Sequence, residues 1–259
     1  MKNVHLNPVR NYREWCVPRD GEGRFRIAVG ETDLQVTATL PFPEDFIDAM
    51  TQEVRRLRGQ LEAWMVLHPE FGSSLVPVPL KENPALVPEI VRRMSMASDT
   101  VGVGPFAAVA GTIAQLLVEH FAAQSPDLIV ENGGDIYMTS RRDRVVGVLS
   151  DPRAGVTLGL KIAASDCPTA LCASSATIGH SLSFGQGELA LVRSADGALA
   201  DALATALCNR LHSPDDVTEV IDLARSFAPS GLTGVYVQCG SAMGIWGNME
   251  LTVVEKAGE

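Results

Sequence analysis

The sequence predicts an α+β fold of two layers, with antiparallel strands on one side and paired helices on the other. Three observations carry that expectation. Several short stretches alternate apolar and polar residues between turn formers, as half-buried strands do. Other stretches repeat apolar residues every three or four positions, as one face of a helix does. The helical stretches also come in neighbouring pairs between pairs of strands, which disfavours a doubly wound parallel sheet. The order strand-strand-helix-helix-strand-strand is approximated twice without a literal sequence repeat. The chain therefore reads as a single domain, 1–259, with pseudo-repeated halves at about 20–140 and 141–256.

Residues 24–29 and 34–40 alternate in polarity around Gly30-Glu31-Thr32-Asp33 and predict a β-hairpin. Pro41 and Pro43 stop the second strand. Phe46, Met50, Val54, Leu57, Leu61 and Trp64 then mark the apolar face of a helix that ends before Pro69. After a proline-rich connection, a short helix at 89–97 and a longer one at 105–123 are expected, followed by strands at 128–131 and 136–139. In the second half, strands are expected at 145–149, 156–163 and 188–192, helices at 198–211 and 214–227, and closing strands at 234–238 and 249–254.

Lys and Arg number 21 against 31 Asp and Glu, giving a formal charge of −10. So acidic a chain, with only 5% aromatic residues, is unsuited to a phosphate-backbone surface or a base-stacking platform, so no nucleic-acid partner is expected. A small anion is a different matter, because backbone amides bind phosphate locally. The most apolar stretch, 106–123, is interrupted by Gly111, Thr112, Gln115, Glu119 and His120, so no membrane span is expected. The start lacks an apolar signal-peptide core. Five scattered cysteines read as free thiols, and the expected compartment is the cytoplasm.

Four segments could carry chemistry. Glu131-Asn132-Gly133-Gly134-Asp135 follows an apolar strand. Its glycines allow positive φ and close approach of a ligand, but Asn-Gly and Gly-Gly are also leading hairpin dipeptides. Asp201 and Thr205 stand four apart on one helix face and offer hard oxygen donors suited to Mg²⁺. The plainer alternative is that Asp201 complements the positive end of its own helix dipole. The run from Cys172 to Gly185 packs hydroxyls, glycines and His180 into a loop that could hold a pyrophosphate, or could simply hydrogen-bond itself. Finally, Ser98 to Pro105, with Gly102 and Gly104, is a glycine-rich stretch before a helix, consistent with either an anion site or helix initiation.

Taken together and in order, these segments resemble the ApbE superfamily, whose best-known members are FAD:protein FMN transferases. They are closer still to a sister branch found in anaerobic bacteria and archaea. The likeness runs through Glu31-Thr32-Asp33-Leu34, His68-Pro69-Glu70-Phe71 and Val103 to Gly111. It continues through Glu131 to Asp135, Ser174 to Gly185, Ala200 to Thr205 and Gly244-Ile245-Trp246-Gly247. The resemblance implies a tunnel-type fold (T-fold) duplicated within one chain. It also implies Mg²⁺ ligation by Asp201 and Thr205, with Asn132, Gly133, Gly134 and Asp135 lying beside a flavin nucleotide. Ser174 and Ser175 match a T-S-G stretch, with Ala176 where glycine is usual. The transferases' later H-x-x-D-P-x-x-G motif has no counterpart after the serine segment, because Asp151-Pro152-Arg153-Ala154-Gly155 lies before it.

The expectation is therefore a Mg²⁺-dependent enzyme acting on FAD or a related diphosphate nucleotide. Ser174, Ser175, Gly179 and Gly104 would help hold the ligand, Asp201 would carry the metal, and His180 would transfer protons. A small-molecule nucleotide, an acceptor protein and a second copy of the chain are the expected partners. Two alternatives stand beside it. One is a sulfur-assimilation factor, concerned with homocysteine formation, using the thiol of Cys172 or Cys167. The other is a flavin or nucleotide binder without catalysis.

Overall fold

The computed structural model describes residues 19–148, 157–175 and 189–254. Its centre is an eight-stranded antiparallel sheet. In spatial order the strands are β1 (Glu22–Val29), β2 (Thr32–Thr39), β3 (Leu128–Asn132), β4 (Asp135–Thr139), β7 (Thr169–Ser174), β8 (Leu189–Ser194), β9 (Leu232–Cys239) and β10 (Ala242–Gly247). One face is covered by helices α1 (Phe46–Leu67), α2 (Glu70–Ser73), α3 (Glu89–Val101), α4 (Val109–Phe121), α5 (Gly197–Cys208) and α6 (Val217–Arg225). The α+β expectation holds, with α4 on β3 and β4, α5 on β7 and β8, and α6 on β9 and β10.

Local sequence explains the outer elements. In β2, Leu34, Val36 and Ala38 are buried while the residues between them are half-exposed, the two-residue period of a strand with one dry face. All six apolar positions expected on the first helix are buried in α1, and the helix ends at His68, before Pro69. The expected 105–123 helix is divided. Pro105–Ala108 forms a 3₁₀ turn and the α-helix begins at Val109. The 198–211 helix stops at Cys208.

Three features depart from the sequence expectation. β5 (Arg144–Val148) and β6 (Thr157–Ile162) leave the main sheet and join β11 (Glu250–Val254) in a three-stranded sheet of order β11-β6-β5. That sheet packs over the main sheet's second face through Leu160 and Ile162 against Met138, Leu171, Leu191 and Tyr236. It adds a layer to the helix-on-sheet pair. The strands that precede α5 and α6 in the main sheet are β7 and β8. β7 has no counterpart among the expected strands, and its last three residues open the expected serine-rich loop, yet every residue from Thr169 to Cys172 is buried. Covered on both faces, it lacks the alternation by which strands are recognised. The third addition is β10, where Ala242, Gly244 and Trp246 face α6. A Cβ at Gly244 would stand 2.6 Å from Ile221 and 2.9 Å from Val217.

A buried polar cluster ties the first strands to β5. The Arg144 guanidinium meets Glu22 at 2.5 Å and Asp127 at 3.1 Å, and all three side chains are buried. Burial alone would raise the Glu22 carboxyl. The Arg144 hydrogen bond and charge, with the Arg19 amide, outweigh that and hold it below its ordinary value.

Candidate functional site

Helix α5 is apolar or alanine almost all round, as a helix in a core must be. Every residue in it is buried except Thr205, which is half-buried. Its start is satisfied by Asp196, whose side chain accepts from the Leu199 amide at 3.0 Å, and by Gln115, which accepts from the Gly197 amide at 2.7 Å. Asp201 is therefore not the partner of its own helix dipole. It reaches instead to the beginning of α4, where its carboxylate accepts the Gly111 amide at 2.8 Å and a second hydrogen bond from Ala110. Those amides belong to the first turn of α4 and have no intrahelical acceptor.

Glycine makes this reach possible. A Cβ at Gly111 would lie 2.2 Å from the Gly197 carbonyl oxygen and 2.8 Å from the Asp201 Cβ. A Cβ at Gly197 would lie 2.6 Å from the Gly111 oxygen. The two helices touch backbone to backbone, and only side-chain-free residues fit the contact.

The sheet supplies the other half. Asn132 and Asp135 face each other across the β3–β4 turn, and both intervening glycines have positive φ, 71° at Gly133 and 113° at Gly134. Positive φ at both positions is the requirement of a tight hairpin turn. Among the described residues, nothing lies within 4 Å of where a Cβ at either glycine would stand. The turn reading and the ligand-approach reading are thus compatible. The Asn132 amide donates to the Ala110 carbonyl at 3.2 Å, so strand end and helix start are joined. Asp135 is held from β7, where the Ala173 amide donates to it at 3.1 Å and the Cys172 thiol hydrogen-bonds to it.

Asp135 and Asp201 thereby come close enough to feel each other. Burial, the Ala173 amide and Cys172 thiol pulling the other way, and the Glu131 charge together leave Asp135 pushed up to about 7. Burial, with the Asp135 charge added, pushes Asp201 well up too. Burial and then the two carboxylates raise the Cys172 thiol far above its ordinary value. Among the described residues neither aspartate has a Lys or Arg partner. The Ser174 hydroxyl is buried on the same face of β7 as Cys172 and has no hydrogen-bond partner among the described residues.

The expected site residues fall into three groups. Asn132, Gly133, Gly134, Asp135 and Asp201 gather around the start of α4, Thr205 is one turn further along α5, and Ser174 ends β7, with the half-buried Ser175 directly after it. Gly104 has a different setting, since a Cβ there would stand 1.8 Å from the Ser74 carbonyl oxygen. The Ser98 hydroxyl of that segment donates to the Val103 carbonyl at 2.5 Å, and Gly102 caps α3 at φ 82°. Gly179, His180 and the 151–155 run lie outside the described residues. For Cys172 the sequence allows a small buried hydrophobe or a reactive thiol; the side chain is fully buried, and its place beside Asp135 is visible only once β7 is paired with β4.

Among the described residues no three His, Cys, Asp or Glu side chains enclose a common point as a preformed metal cage would. The donor chemistry still suits Mg²⁺, which takes one or two carboxylates and keeps several waters. Two buried carboxylates without a counter-charge are the groups such an ion would neutralise. Among the described residues no single helix is long and apolar enough to cross a membrane.

The comparisons agree with this architecture. A family model described as AbpE bacteria matches residues 14–240. A UPF0280 protein of Methanocella arvoryzae is 39% identical over 222 residues, covering 85% of this chain and 87% of that protein. A UPF0280 protein of Methanocaldococcus jannaschii is 31% identical over 237 residues, covering 89% and 93%. Among solved structures, the apo flavinyl transferase ApbE of Pseudomonas stutzeri aligns with a TM-score of 0.57 at 13% identity, over 87% of this chain and 94% of that one. The apbe protein of Thermotoga maritima gives 0.57 at 11%, over 88% and 97%. At such identities the structures speak for the fold, and the family match speaks for descent: the chain belongs to the AbpE bacteria family, an ApbE-like branch shared with the archaeal UPF0280 proteins.

Proposed function

We propose that this protein is a Mg²⁺-dependent, flavin-transferase-like protein that binds FAD or a related diphosphate nucleotide. The observation that carries the proposal is the pair of buried, uncompensated carboxylates, Asp135 and Asp201, meeting at the start of α4. Asp201 and Thr205, with Asp135 opposite, would hold the cation. When bound, the ion would neutralise charge on a diphosphate and polarise its bridging oxygen. No described residue lies within 4 Å of a Cβ position at the two glycines of the Asn132–Asp135 turn, which suits close approach of a ligand. The Ser174 hydroxyl, which has no hydrogen-bond partner among the described residues, is a donor available to it. Asn132 fixes the strand end to α4, so these groups keep their spacing. His180 is the candidate for proton transfer on sequence grounds, and a protein acceptor and a single duplicated T-fold domain belong to the same proposal. Two successive runs of strand-strand-helix-helix-strand-strand in the main sheet, β1 to β4 and β7 to β10, support the duplicated domain.

The thiol alternative is disfavoured by the same geometry. Cys172 is fully buried and its thiol is held protonated, whereas the nucleophile is the thiolate. Cys167 is half-buried and also raised, chiefly by burial.

The test is titration of purified protein with FAD, with and without Mg²⁺, alongside Asp201→Ala. Binding that requires Mg²⁺ and weakens ~10-fold or more in the variant is expected, the scale of losing a charge-assisted contact. Equal FAD binding without Mg²⁺ and by Asp201→Ala would overturn the proposal.

A further inference from the structure

We infer that Cys172 is a positioning residue for Asp135. It sits on β7 directly across from the first residue of β4, because Leu171 pairs with Ile136 and Ala170 with Tyr137. Its thiol is wholly buried between two acceptors, the Asp135 carboxylate and, at 3.8 Å, the carbonyl oxygen of Gly197 at the start of α5. The neighbouring Ala173 amide grips the same carboxylate at 3.1 Å. Two consecutive residues of β7 therefore clamp Asp135, one by backbone and one by side chain.

The choice of cysteine follows from the setting. A thiol carries one weak donor and otherwise behaves as a small apolar group, so it tolerates complete burial among Ala170, Ala198 and Val192 of the helix-side core. It has a single proton for two acceptors. Given to Asp135, that proton orients the carboxylate. Given to Gly197, it leaves Asp135 held by the Ala173 amide alone. The thiol thus links the carboxylate of the sheet to the first residue of the helix that carries Asp201. Its role is orientation, and no bond to sulfur forms or breaks.

The consequence for cation affinity rests on the proposed function, whereas the contact itself does not, and two arms of one experiment separate them. In the first arm, the infrared S–H stretching band of Cys172 is isolated as the difference between wild type and Cys172→Ser. A band lowered by donation to a carboxylate, moving up in Asp135→Asn, is expected. A band unchanged by Asp135→Asn overturns the inference. In the second arm, Mn²⁺ is titrated into wild type, Cys172→Ala and Cys172→Ser, each checked for folding by circular dichroism. Loss of the donor in Cys172→Ala should weaken Mn²⁺ by ~10-fold, the scale of a hydrogen bond to a charged group, and the hydroxyl of Cys172→Ser should restore most of it. Equal weakening in the two variants would mark a packing effect and overturn the positioning role. Absence of Mn²⁺ binding by wild type, with the infrared shift present, would overturn the cation reading and leave the clamp supported.

Discussion

Replacing Asp135 with asparagine should stabilise the cation-free protein above neutral pH. The fold raises this carboxyl from 3.8 to about 7 because it is buried, with the Glu131 charge adding to the effect. Between those two values the folded state binds more protons than the unfolded chain, so stability falls as pH rises through the interval. Each unit is worth about 1.4 kcal/mol, so a shift of about 3 units sets an upper bound of about 4 kcal/mol on the cost of ionising Asp135 in place. Asparagine keeps an oxygen for the Ala173 amide and has no charge to desolvate. The expected result in thermal melts without divalent cations is a melting temperature near pH 8 raised by several degrees, on a scale of ~2–4 °C per kcal/mol for a chain of this size. Near pH 4, where the native carboxyl is protonated, the difference should vanish. Mg²⁺ should raise the wild-type melting temperature near pH 8 and leave the variant where it was, because a ligand stabilises only the state that binds it. A difference between wild type and Asp135→Asn that is the same at both pH values would refute the reasoning, since it would show that ionisation of Asp135 does not set the cost.

Gly111→Ala should destabilise by about 1–3 kcal/mol in urea unfolding, the range for overpacking, because its methyl would stand 2.2 Å from the Gly197 oxygen. It should also weaken Mg²⁺-dependent FAD binding, since α4 and Asp201 would have to separate. Arg144→Ala should cost about 3–5 kcal/mol by the same assay, because Glu22 and Asp127 would be left buried without their partner. The lowered Glu22 and Asp127 carboxyls contribute stability above their ordinary range that is lost on acidification through the depressed values. The acid limb of the wild-type stability profile should accordingly lie at lower pH than a variant lacking Arg144 shows.

Much of the outer scaffold was legible in the sequence. The β1–β2 hairpin and α1 have one dry and one wet face, so their periods are written in the residues. The Asn132–Asp135 turn and the Asp201–Thr205 spacing were visible for the same local reason. β7 was not, because a strand buried on both faces loses its alternation. The pairing of β6 with β11 was also hidden, since nothing local joins Leu160 to Leu251 across the sequence. The site suffered most from this. Asp135, Cys172 and Asp201 belong to three elements brought together by sheet register, and no spacing along the chain announces it. Gly104 has a packing reason that the sequence does not show: the chain's own Ser74 carbonyl fills the space a Cβ would need.

The glycine-on-glycine contact between α4 and α5 has a genetic corollary. When a bulky side chain is introduced into an ordinary core, a neighbour can shrink to compensate, so second-site suppressors arise readily. Here both neighbours are already as small as an amino acid can be, and what stands in the way is a peptide oxygen common to every residue. Selection for restored function in a Gly111 mutant should therefore yield almost exclusively true revertants.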